Sequence, residues 1–263
     1  MSVLSKRILS AILLFLIFVY SFFHQNYIYF LVLVTLFTSI SLYELDKLSS
    51  NNKFEKAIYW LFSILIYFLI LQNYEPSVYI IYFCVFFWVF IAPLVLYKKQ
   101  IIFDSIKFIV YPLVIMGLFF SIFYLYVNNK SLLLFSLFIV WLSDISAYFF
   151  GKKFGKKKLA PNISPGKTLE GIYGAFLVNF IFVCFLSFIN IGNFYNYLAI
   201  LIIVVPLSVL GDLFESLVKR SAGKKDSGFF LPGHGGVMDR IDSLCAVLPI
   251  ITFLNMQGLN LWG

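Results

Sequence analysis

The chain has 263 residues, of which 62% are hydrophobic and only 12% charged, and it carries a formal net charge of +8 at pH 7. Soluble domains hold about 45–50% apolar and about 25% charged residues, so an ordinary soluble domain is excluded. Several apolar runs reach the ~20 residues that a membrane-spanning helix needs, without the alternation of barrel strands, and the expectation is an all-α polytopic membrane protein.

Nine spans are expected in chain order, near residues 8–23, 27–43, 57–73, 77–97, 107–127, 131–150, 172–191, 196–217 and 239–256. Lys6 and Arg7 precede the first run, as in a signal peptide. That run ends Tyr20-Ser21-Phe22-Phe23-His24 with no small-residue cleavage site, so it reads as a span. With nine spans, 19 of the 20 lysines and arginines fall on one side and only Lys130 on the other. The positive-inside rule then places the N-terminus in the cytoplasm and the C-terminus outside. The positive charge therefore belongs to a membrane face and gives no reason to expect a nucleic-acid partner. Residues 1–130 read as a transmembrane scaffold of about five helices, and 131–263 as a catalytic membrane region with two polar cytoplasmic loops. Cys84, Cys184 and Cys245 are scattered in apolar runs without ligand spacing.

Three polar clusters follow residue 140. Carboxylates within membrane spans are expensive and point to function. Asp144 lies in "WLSDISAYFFGKKFGKKKLAPNISPGKTLEG", four residues before Tyr148 and on the same helix face. Lys156, Lys157 and Lys158 read as membrane anchors. Lys167 differs, because it follows Ser164-Pro165-Gly166, where backbone N–H groups can help hold a phosphate. The "GKT" here is not a P-loop, since Pro161 stands where that motif needs glycine and no strand precedes it.

The second cluster, "GDLFESLVKR", sets Asp212, Glu215, Ser216 and Lys219 on one helix face. The third, "LPGHGGVMDRIDS", puts His234 among glycines ahead of Asp239, Arg240 and Asp242. Helix capping can account for one of these two aspartates. Acids from several helices at one depth suit a hard cation such as Mg²⁺ or Mn²⁺, and the basic residues suit phosphate. Zinc is disfavoured by a histidine set of His24 and His234 alone, and a serine hydrolase by the absence of G-x-S-x-G.

Ser216 to Asp242, "SLVKRSAGKKDSGFFLPGHGGVMDRID", resembles the C-terminal signature of the phosphatidate cytidylyltransferases, or CDP-diacylglycerol synthases, at every fixed position. "GDLFES" and the block from Ser143 to Gly171 extend the likeness over roughly residues 141–243. The resemblance implies that CTP and phosphatidate give CDP-diacylglycerol and pyrophosphate, with Mg²⁺ as cofactor and K⁺ as a candidate second cation. It also implies a homodimer in the bilayer of the cell inner (plasma) membrane, multi-pass, with the active site facing the cytoplasm. By motif match Asp212, Asp239 and Asp242 belong to a metal site and, with Lys219, to the catalytic set. Ser216, Arg220, Lys225, Asp226 and His234 line the substrate pocket, joined by Asp144 as a further substrate-binding residue and by Lys167 and Arg240 as phosphate contacts. Other readings of the same clusters are a cation-coupled transporter, a CTP-dependent lipid kinase and an isoprenoid-ether lipid cytidylyltransferase.

Overall fold

The computed structural model describes residues 3–49, 52–72, 74–101, 106–189, 191–230 and 235–260. It is an all-α membrane architecture with one small hairpin. Ten α-helices are seen among the described residues: α1 (Val3–Phe23), α2 (Ile28–Ser49), α3 (Lys53–Gln72), α4 (Tyr74–Phe86), α5 (Ala92–Lys98), α6 (Lys107–Asn128), α7 (Lys130–Phe154), α8 (Leu169–Phe188), α9 (Phe194–Ser221) and α10 (Met238–Met256). Among the described residues, six helical segments are long and apolar enough to cross a bilayer: Ile28–Ser49, Val78–Lys98, Lys107–Asn128, Lys130–Phe154, Leu169–Phe188 and Phe194–Ser221.

Between α4 and α5 the helix widens into a π-turn, Phe87–Ile91, where the Ala92 N–H bonds to Phe87 O. Pro93 supplies the reason. It has no N–H for the carbonyl four residues back and its ring crowds that carbonyl, so the turn opens and a single rod continues through the defect.

α10 is the central helix. Every residue from Ser243 to Thr252 is buried, and the helix packs against α9, α6, α4, α7 and α2. A helix that is apolar all round belongs in the interior. Lipid tails are as apolar as leucine, so close packing holds such helices together more than exclusion from water does. Small residues allow that approach. A Cβ on Gly211 of α9 would run into the Asp242 carbonyl and the Ser243 Cα of α10. The Ser243 hydroxyl donates to Ser208 O (3.1 Å) at the same crossing. One apolar core runs through both halves of the chain, including Ile81, Phe119, Ile139 and Cys245.

The lysine-rich segment after α7 is not a plain loop. Strands β1 (Lys158–Ala160) and β2 (Ser164–Thr168) pair antiparallel, Lys158 with Thr168 and Ala160 with Ser164. Thr168 then caps α8 by accepting from the Gly171 N–H (3.1 Å). Glu170 accepts from the backbone N–H groups of Lys156 (3.0 Å) and Lys157 (3.2 Å). These contacts close the hairpin and turn Lys167 towards α9.

Candidate active site at the N-terminus of the central helix

The polar residues of α7, the β-hairpin, α9 and α10 meet near the start of α10, in two adjoining groups. The first holds Asp144, Asp212 and Asp242 with the cations Lys167 and Arg240. Asp144 feels the charges of Asp212, Lys167 and Arg240. Asp242 feels those of Asp212, Asp144 and Lys167. Lys167 Nζ lies 2.7 Å from Asp212 Oδ2 and donates to Val209 O (3.3 Å), so the hairpin lysine is tied directly to α9. The Ser216 hydroxyl donates to Asp212 Oδ1 (3.3 Å) from one turn along. The bare glycine at 211 is what brings Asp212 beside Asp242, since it lets the α9 backbone touch α10 at that residue.

The second group surrounds Lys219. Its Nζ lies 2.5 Å from both Glu215 Oε2 and Asp239 Oδ1. Glu215 is only 1% exposed, and its Oε1 has no hydrogen-bond partner among the described residues. Asp239 is fully engaged, because Oδ2 also accepts from the N–H groups of Gly236 (2.9 Å) and Ser227 (3.2 Å). Its bond back to Gly236 ties the residue before the N-cap Val237 to the first turn of α10. Asp239 is the acid of that first turn, and Asp242 lies among Asp144 and Asp212.

Arg220, in the last turn of α9, and Lys225 and Asp226, on the loop after it, are exposed. A Cβ on Gly235 would come within 3.9 Å of Asp226 Cβ, which puts that aspartate near the start of α10. His234 lies outside the described residues.

One residue escaped the sequence reading. Glu44 of α2 is 1% exposed and accepts three hydrogen bonds: from the Ser227 hydroxyl (2.9 Å), the Val237 N–H (3.0 Å) and the Met238 N–H (2.8 Å). Val237 supplies no side-chain cap of its own to α10. A carboxylate from another helix therefore satisfies the orphan N–H groups there and opposes the positive end of the helix dipole. Gly236 is needed for this fit, because a Cβ there would collide with Ser227 Oγ and Glu44 Oε2. The second span was expected to end at residue 43, which put Glu44 in a loop. In fact α2 runs on to Ser49 and buries it. The signal was a carboxylate directly abutting an apolar run.

The donor set of the first group is oxygen only and strongly anionic, the chemistry of a hard-cation site. Among the described residues no three His, Cys, Asp or Glu side chains stand together as a finished metal cage. Lys167 sits against Asp212 and offsets its charge instead.

Fold and site together define a polytopic α-helical membrane protein whose acids and bases converge at the end of a buried helix, beside an apolar interior. The model of the cytidylyltransferase family matches residues 5–256, and the chain belongs to that family. It is similar to a phosphatidate cytidylyltransferase of Haemophilus influenzae, 46% identical over 132 residues, covering 48% of this chain and 46% of that one. It is also similar to phosphatidate cytidylyltransferases of Staphylococcus aureus and Staphylococcus epidermidis. Both are 40% identical, over 168 and 167 residues, and each match covers 62% of this chain and 64% of the relative. The chain thus spans about half to two thirds of the length of the curated relatives it matches.

Proposed function

We propose that this protein transfers a cytidylyl group from CTP to phosphatidate, giving CDP-diacylglycerol and pyrophosphate for phospholipid synthesis. The observation that carries the reading is the Lys167–Asp212 ion pair, set where α9 meets α10 at Asp242, with Asp144 and Arg240 in electrostatic range. Both substrates are polyanions, and one carries hydrocarbon tails. A site that brings them together needs cations and a contact with the membrane interior.

In the proposed reaction an oxygen of the phosphatidate phosphate attacks the α-phosphorus of CTP. A new P–O–P link forms, the α–β link breaks, and its electron pair leaves with pyrophosphate. The nucleophile needs little help from a base, since a comparable phosphate monoester has a second pKa of about 6. The demand is for positioning and for charge stabilisation on the leaving group. Asp212 and Asp242, with Asp144 beside them, are the residues that would hold Mg²⁺, which supplies charge compensation for the phosphoryl groups when bound. Lys167 and Arg240 contact phosphate oxygens, and Ser216 orients Asp212. Lys219 and Asp239 shape the pocket by fixing the loop before α10.

The proposal includes a homodimer in the inner (plasma) membrane, nine crossings, a cytoplasmic N-terminus and a cytoplasm-facing site. The lysines and arginines, which nine crossings would put almost entirely on one side, support that orientation.

The test is to supply the purified, full-length protein with phosphatidate, Mg²⁺ and CTP labelled at either the α- or the γ-phosphate. Label from the α-position should enter the lipid and label from the γ-position should leave in pyrophosphate. Transfer of γ-label to lipid would identify a lipid kinase instead. No lipid labelling, with cation flux in reconstituted vesicles, would support the transporter reading.

A further inference from the structure

A cavity of about 520 Å³ lies between α1, α2, α6, α7 and α10. Its walls are apolar side chains such as Phe18, Phe37, Leu118, Ile122 and Leu244, and Thr38, which bonds its own helix at Val34 O (2.8 Å). One charged residue lies in the wall: Arg240, at the first turn of α10. Trp141 lines the cavity as well, and Asp144 follows it by one turn on the same face of α7. The apolar cavity therefore reaches Arg240, which, like Lys167, lies within electrostatic range of Asp144. Its other boundary is α1, whose Phe15 lines the cavity while remaining 55% exposed.

From this juxtaposition we propose that the cavity is the seat of one fatty-acyl chain of a phosphate-bearing glycerolipid, whose headgroup is turned to Arg240 and Lys167. The inference rests on the cytidylyl-transfer reading and names where its lipid substrate lies. The volume falls within the ~300–1,000 Å³ of sites for single small ligands. A second helix, about 10 Å across, does not fit such a space between five helices, whereas a flexible hydrocarbon chain does. Charge selects the lipid: an arginine at the rim of an otherwise apolar cavity favours an anionic head over a neutral or zwitterionic one.

The physical role of the cavity is placement more than affinity. A methylene gains about 0.8 kcal/mol on leaving water, but the chain arrives from a bilayer that is already apolar, so little of that is realised. What the cavity fixes is the depth and direction of the lipid, and hence the aim of its phosphate.

Two measurements test this. Phosphatidate bearing a diazirine near the end of one acyl chain should label peptides of α2 and α6 that include Leu33, Leu118 or Ile122. Unlabelled phosphatidate should compete and phosphatidylcholine of the same chains should not. In parallel, Leu33→Trp, which fills the cavity, should lower kcat/KM for long-chain phosphatidate about tenfold, a loss typical of misplacement, while sparing dihexanoyl phosphatidate. Leu36→Trp, at an exposed position of the same helix outside the cavity, should change neither. Labelling spread evenly over outward-facing helices, equal competition by phosphatidylcholine, or equal loss on short and long chains would overturn the proposal. Because labelling needs no turnover, a protein that labels as expected but makes no CDP-diacylglycerol would refute the reaction and leave the lipid seat standing.

Discussion

Lys167 is the residue whose surroundings differ most from those of its neighbours in sequence. It was singled out because it follows a Ser-Pro-Gly turn, and the hairpin carries it to Asp212, whereas Lys157 offers its backbone to Glu170. Lys167→Ala should therefore depress activity at least tenfold, and Lys157→Ala should leave it nearly unchanged. Equal small losses in a lipid-labelling assay would return Lys167 to the role of a membrane anchor. The tie between Lys219 and Asp239 leads to a different expectation. Lys219→Ala removes a partner that two carboxylates share, and should resemble Asp239→Asn: a fall in rate that added Mg²⁺ does not restore. Recovery at high Mg²⁺ would instead assign Lys219 and Asp239 to the cation site. The motif reading placed both residues in the catalytic set, yet it could not see that backbone N–H groups saturate Asp239. Hydrogen bonds to Ser227 and Gly236 depend on how a loop closes, and spacing along a helix carries no record of that.

At the scale of elements, the start of α10 is built by partners far away in the chain. Glu44 caps it from α2, and Gly211 lets α9 reach it. Glu44→Ala leaves two buried N–H groups and a hydroxyl without their acceptor, at about 1–3 kcal/mol for each group left unsatisfied. The stretch around Ser227 should then be cut faster in limited proteolysis, with kcat reduced. Glu44→Gln, which keeps a carbonyl oxygen in place, should restore part of the protection. Unchanged proteolysis in Glu44→Ala would show that the loop is held by other contacts. At Gly211, Ala forces α9 away from α10 and separates Asp212 from Asp242. Overpacking of this kind costs about 1–3 kcal/mol, so Gly211→Ala should lower thermal stability and activity together, and normal values of both would count against this account of the crossing. Helix existence was largely legible from apolar run length, because a membrane helix must satisfy its own backbone. Helix ends were less so. α2 runs six residues past its expected end, and the hairpin β1–β2 lacks the alternating pattern by which short strands are recognised.

For the whole molecule, residue 130, where the sequence was divided into scaffold and catalytic parts, is the first residue of α7, and residues from both sides of it meet at the polar cluster. α2 supplies Glu44, and α1, α2 and α6 wall the cavity that ends at Arg240. The first five spans looked inert because apolar residues that shape a lipid seat are the same residues that face a bilayer. Only their arrangement separates the two roles. The proposed orientation across the membrane rests on the lysines and arginines, so a reporter fused after Gly263 should signal from the outer side, and a cytoplasmic signal would break the proposed nine-span topology.

The central claim is that a cation held by Asp212 and Asp242 brings two anionic substrates together at the end of α10. Its most direct test is the rate of CDP-diacylglycerol formation against Mg²⁺ concentration for the parent protein, Asp242→Asn and Asp239→Asn, each checked for intact folding. An amide keeps the shape of the side chain but gives up the charge that holds the cation. Asp242→Asn should need about tenfold or more Mg²⁺ to approach saturation, while Asp239→Asn should lose rate with its Mg²⁺ midpoint unmoved. A parent-like Mg²⁺ curve for well-folded Asp242→Asn would contradict the account.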